Sequence, residues 1–94
     1  MPLDTAIHAA IRLQVCAALA GADSLDFAPL RASLDVSESV LSKHLKVLQT
    51  AGYVAVRKAT SDGRQRTWLS LTPTGREAFA AHAAALRSLL ASAR

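Results

Sequence analysis

The sequence predicts a mainly helical α+β domain with one β-hairpin, ordered α-α-α-β-β-α and spanning residues 1–94 as a single unit. Three observations predict it. Leu41, Leu45 and Leu48 recur at i, i+4 and i+7 behind Ser37, the pattern of an amphipathic helix with a hydroxyl cap. Asp62-Gly63 separates two runs of strand composition, residues 53–58 and 66–71, which is a strong hairpin signal. An alanine-rich segment then follows Thr72-Pro73, with Phe79, Ala83, Leu86, Leu90 and Ala93 on one seam.

The elements follow in order. From Asp4 to Ala20 the chain is apolar apart from Thr5, His8, Arg12 and Gln14, so a helix over about 4–20 is expected. Asp4 suits its N-cap, and Gly21 suits a left-handed C-terminus. Residues 22–27 read as a loop. A short helix at 29–34 has Pro29 in its first turn, and Asp35-Val36-Ser37 makes a tight turn into the helix at 37–51, which ends at Ala51-Gly52. Thr72 before Pro73 starts the last helix, 73–93, with Thr74 and Glu77 as an alternative capping box. Two short helices joined by a tight turn and followed by a hairpin are the layout of a winged helix-turn-helix.

Composition bounds the function. A chain of 94 residues with 4% aromatics builds one alanine-rich helical core. One cysteine, Cys16, excludes an internal disulfide and fits a reducing compartment. No cationic leader and no apolar run approaching about 18 residues is present, so a cytoplasmic protein away from membranes is expected. The net charge of +4 is unevenly spread. Residues 1–35 hold two arginines against four aspartates, whereas residues 36–68 hold six cations against Glu38 and Asp62. A solvated surface explains scattered charge; a concentration in one third of the chain is the footprint expected for a polyanion.

The face of the third helix opposite its leucines carries Ser39, Ser42, Lys43 and Lys46, with no bulky apolar residue expected among them. Hydroxyls and cations on a helix that fits the major groove can reach base edges and phosphates. Ser37 caps this helix, whose free N–H groups suit a phosphate. The hairpin adds Lys58, Arg64, Gln65 and Arg66 around a tip with nothing to bury, so the segment 58–66 is expected to follow a DNA backbone or enter a minor groove.

The stretch Val36-Ser-Glu-Ser-Val-Leu-Ser-Lys-His-Leu-Lys-Val-Leu-Gln-Thr-Ala-Gly-Tyr-Val54 resembles the recognition-helix segment of ArsR-like and MarR-like regulators. Arg64-Gln-Arg-Thr-Trp-Leu-Ser-Leu-Thr-Pro-Thr-Gly-Arg76 is similar to the end of the wing and start of the last helix in MarR-like and PadR-like proteins. Ile7-His-Ala-Ala-Ile-Arg-Leu-Gln-Val15 resembles the first helix of stand-alone members. The resemblance implies a homodimer that binds double-stranded DNA at a pseudo-palindromic operator, usually as a repressor. It makes Ser39, Ser42 and Lys43 base-edge readers and Lys46 a phosphate contact. Glu38 replaces a common glutamine and is read as complementing the helix dipole. His44, on the Leu41/Leu45 side, is read as a packed or boundary residue.

The terminal helices carry more apolar surface than one small domain can cover. Ile7 and Ile11, with Phe79, Leu86, Leu89 and Leu90, are therefore expected to form a dimer surface. The alanine-lined space between those helices is where a small-molecule effector of unnamed identity would sit. Two rival readings are weaker. A metal-responsive sensor needs clustered ligands, whereas Cys16 stands alone and His8, His44 and His82 fall on separate helices, so no metal is expected. A protein–protein interaction module would not need the basic helix and arginine-bearing hairpin. No cofactor motif, nucleophile motif or paired carboxylates point to an enzyme.

Overall fold

The computed structural model describes residues 4–7 and 9–93; His8 and the ends of the 1–94 span lie outside them. The chain runs α1 (Ala10–Ala20), β1 (Leu25–Asp26), α2 (Phe27–Leu34), α3 (Glu38–Thr50), β2 (Val54–Ser61), β3 (Arg64–Leu71) and α4 (Pro73–Ser92). The strands form one antiparallel sheet in the order β1-β3-β2. The expected helices and hairpin are all present, with β1 added.

Local chemistry explains most of the boundaries. Ser37 Oγ accepts from the Val40 N–H at 3.2 Å, so α3 begins where a hydroxyl can satisfy an orphan donor. The helix closes as Gly52 N–H donates to Gln49 and Tyr53 N–H donates to Leu48, both at 2.9 Å, the paired bonds of a Schellman motif. Asp62 and Gly63 have φ of 52° and 74°, the two positive values of a type I′ turn. That turn lets pairing continue to Ser61 opposite Arg64, so both strands are longer than their apolar residues indicate. Thr72, and not Thr74, caps α4, its Oγ1 accepting from the Gly75 N–H at 2.9 Å.

Leu41, Leu45 and Leu48 of α3 pack with Val15, Cys16 and Leu19 of α1, Leu30 of α2, and Val54, Leu69 and Leu71 of the sheet. Burying each large aliphatic side chain contributes about 1.5–3 kcal/mol. Gly75 brings α4 onto this core. A methyl group there would lie 2.8 Å from the Tyr53 carbonyl carbon and overlap its oxygen, the same oxygen that accepts from the Thr72 N–H. Gly75→Ala is therefore expected to lower unfolding stability by about 1–3 kcal/mol, measured by urea denaturation. Arg76 secures the next turn by donating to the carbonyls of Ala20 and Ala22 at 3.3 and 3.0 Å.

Several expectations are corrected. The first helix begins at Ala10, not Asp4. Asp4 caps a separate turn instead, Oδ1 accepting from Ala6 and Ile7 N–H groups at 2.9 and 3.3 Å. Its own N–H donates to His82 Nδ1 at 3.1 Å, and Tyr53 OH donates to its Oδ2 at 2.6 Å, which folds the entering segment against α4. Gly21 has φ −90°, so α1 does not end left-handed. Part of the 22–27 loop is β1, which pairs Leu25 and Asp26 with Leu69 and Trp68 and satisfies that stretch of β3's outer edge. The second helix then starts at Phe27, capped by Asp26.

The proposed dimer surface also changes. Ile7 is fully buried among core residues of its own chain and offers no surface to a partner. Ile11 and Phe79 are half-buried against that core, and Leu86 is half-buried. Only Leu89 and Leu90 of the six are exposed, at 52% and 74%.

Candidate nucleic-acid interface

Because three α3 leucines point into the core, helical periodicity turns Ser39, Lys43 and Lys46 outward, and all three are exposed. Ser42, Gln49 and Glu38 occupy the flank nearer the hairpin, where they border a cleft of about 370 Å³. Phe27, Leu45 and Val56 supply its apolar walls, and Lys58 stands on the hairpin side. Ser42 on α3 and Lys58 on β2 thus share one surface.

The other flank meets α1. Arg12 Nη1 donates to His44 Nδ1 at 3.3 Å, while the same guanidinium donates to the carbonyls of Ala6 and Thr5. Arginine has no acceptor, so Nδ1 must be unprotonated in this contact. Burial and then the Arg12 and Lys43 charges hold His44 below the ordinary histidine value. His44 is accordingly a boundary residue that couples α1 to α3, as expected. Val40 is a correction: it is 40% exposed, so the outward surface of α3 does carry one apolar side chain.

Ser37 is exposed at the start of α3, its hydroxyl 3.2 Å from that of Ser39. Asp35 has φ 55°, and Arg31 Nη1 donates to the Val36 carbonyl at 2.9 Å, which braces the turn between α2 and α3. At the hairpin tip Arg64 and Gln65 are exposed, paired across the strands with Ser61 and Thr60. Arg66 departs from the grouping expected of it. It is half-buried and bound to Asp26 Oδ2 at 2.8 Å. Composition did not single out Asp26, because the partner strand lies 40 residues away.

Other groups bear on the rival readings. Burial, with a smaller contribution from Asp4, pushes the Cys16 thiol up to about 11, leaving it protonated at neutral pH. Among the described residues no three His, Cys, Asp or Glu side chains gather as a metal site. No described helix is long and apolar enough to cross a membrane. The space between the terminal helices is expected from the sequence to be lined by alanines. Where α1 ends near α4 there is an open, polar hollow bordered by Ala20, Asp23 and Arg76. An apolar cleft of about 380 Å³ lies instead between α1 and α2, beside Ala18, Leu25, Pro29, Leu30 and Trp68.

A braced pair of helices, the second outward-facing and bearing hydroxyls and lysines, beside a hairpin that projects further cations, defines a winged-helix protein. The chain belongs to the family of winged helix DNA-binding domains, whose model matches residues 11–90. It is 32% identical over 72 residues to the uncharacterized protein MJ0432 of Methanocaldococcus jannaschii, covering 77% of this chain and 78% of that one. Among solved structures, a transcriptional regulator homologue from Pyrococcus horikoshii superposes with a TM-score of 0.87 at 24% identity, covering 93% of this chain and 86% of its own. NadR in complex with 4-hydroxyphenylacetate gives 0.75 at 24% identity over 93% of this chain and 61% of its own. HlyU from Vibrio cholerae gives 0.63 at 24% identity, covering 79% and 76%. At these identities the three structures establish a shared fold.

Proposed function

We propose that the protein is a cytoplasmic transcriptional regulator, a repressor rather than an enzyme, that binds a pseudo-palindromic duplex operator as a homodimer. The observation that carries this reading is the continuous outward surface formed by Ser39, Ser42, Lys43 and Lys46 of α3 with Lys58 across the cleft. In this reading α3 enters the major groove. Ser39, Ser42 and Lys43 meet base edges, and Val40 suits a thymine methyl. Lys46, Lys58 and the N-terminus of α3 at Ser37 meet phosphates, while Arg64 and Gln65 follow the backbone or the adjacent minor groove. The regulator homologue of Pyrococcus horikoshii supports the regulatory role. NadR's complex with 4-hydroxyphenylacetate supports a small-molecule effector, and the cleft beside Trp68 is the place proposed for one.

The test is binding-site selection from random duplexes followed by substitution. Ser42→Ala or Lys43→Ala should relax base preference at one position of each half-site, costing about 1–3 kcal/mol. Arg64→Ala should weaken binding to most sequences alike. Unchanged base preference in both α3 variants would remove that helix as the reader. Failure of the wild type to select any duplex would favour a protein-binding role.

A further inference from the structure

The hairpin register sends neighbouring cations to opposite faces. Val56 lies opposite Leu69 and Lys58 opposite Thr67, so Lys58 shares the face that closes on α3. Arg66 lies opposite Ala59 on the other face, with Trp68, whose partner in β1 is Asp26. There Arg66 Nη1 and Asp26 Oδ2 meet at 2.8 Å, with the side chains 36% and 12% exposed. Among the described lysines and arginines, Arg66 is the one that meets a carboxylate.

Asp26 is itself held in place. Its backbone pairs in the sheet, and its Oδ1 accepts from the Ala28 N–H at 3.4 Å as the cap of α2. The backbone of Asp26 is thus anchored at the junction of β1 and α2, beside Arg66. Arg64 and Gln65, two and one residues nearer the tip, remain exposed and border a cleft of about 240 Å³ that also includes Asp26 and Arg66.

We propose that Asp26 is a built-in substitute for a DNA phosphate: it occupies Arg66, withholds one cation per protomer from the duplex, and so lowers sequence-independent affinity. The inference rests on the reading of the hairpin as a DNA contact. A guanidinium matches carboxylate and phosphate oxygens with the same fork of donors, so the two compete directly. Phosphate contacts add affinity without sequence information. Engaging Arg66 internally leaves a larger share of the discrimination to α3.

Asp26→Asn separates charge from structure, because asparagine caps helices as well as aspartate. Fluorescence anisotropy with a random-sequence duplex, across 50–200 mM salt, reads the result. The variant's log–log salt slope should steepen by about 0.9 per protomer, with several-fold tighter binding at 100 mM. Adding Arg66→Gln should return the slope to its original value, whereas Arg66→Gln alone should leave it unchanged. An unchanged slope in Asp26→Asn overturns the inference. So does a slope about 0.9 shallower per protomer in Arg66→Gln alone, because Arg66 would then already be on phosphate. Absence of duplex binding by the wild type is a different result, and it overturns the DNA reading together with this one.

Discussion

Affinity for duplex DNA is expected to fall by about 10³–10⁵ between 50 and 200 mM salt. Each protomer presents Lys43, Lys46, Lys58 and Arg64 as exposed cations, while Arg66 is engaged by Asp26. With Lys43 on base edges, Lys46, Lys58 and Arg64 give a dimer about six phosphate contacts, and each one releases condensed counterions when it forms. The middle third of the sequence holds these residues, and the fold gathers Lys58 beside α3 so that they act on one ligand. Isothermal titration or anisotropy over that salt range checks the expectation. An affinity that stays flat would mean that the surface cations are solvated and that the complex does not rest on phosphate contacts.

The second large effect concerns assembly. Leu89→Glu with Leu90→Glu is expected to give a folded monomer whose operator affinity falls by about 10³-fold or more, towards its non-specific level. Both leucines are exposed in the protomer, at 52% and 74%, so glutamates there disturb little of the chain's own packing. Leu86 is a poorer target because it is half-buried, and its loss would confound folding with association. In the proposed dimer a two-fold axis through the terminal helices sets two α3 helices about 34–36 Å apart, one turn of DNA. Ile11 and Phe79 contribute their accessible edges there, and Ile7 none. Sedimentation velocity with a parallel gel shift separates the effects. A wild type that sediments as a monomer at micromolar concentration would exclude the dimer, and a monomeric variant with intact operator affinity would show that dimerisation is not required for binding.

The legible part of the interface was the part written within one helix or one turn. Ser37, the leucine spacing of α3 and the outward serines and lysines all lie within a short segment, so their relative placement follows from a 3.6-residue repeat. Two features of the same surface were not legible. Val40 lies at the edge of the leucine stripe, and periodicity alone does not tell how far the neighbouring elements reach over it. Arg66 carries the same charge as Arg64 and alternates onto the same face of β3, and only the pairing of β1 with β3 shows that Arg66 meets Asp26.

Local hydrogen bonding and periodicity in the chain were sufficient for the order of the four helices, the Asp62-Gly63 turn and the caps at Ser37 and Thr72, because each of these involves donors and acceptors at most a few residues apart, though not for where the first two helices begin. Contacts between distant segments settled the remainder. A two-residue strand at Leu25–Asp26 has too little pattern to be read alone and exists because β3 offers it unpaired backbone groups. Ile7 looks like free apolar surface until Asp4 binds His82 and Tyr53 and turns the entering segment into the core. Gly75 looks like an ordinary helix residue until the Tyr53 carbonyl is placed against it. In each case the deciding free energy comes from groups brought together across the chain, from Tyr53 and Gly75 in one instance to Asp4 and His82 in another, and a sequence pattern does not encode that proximity.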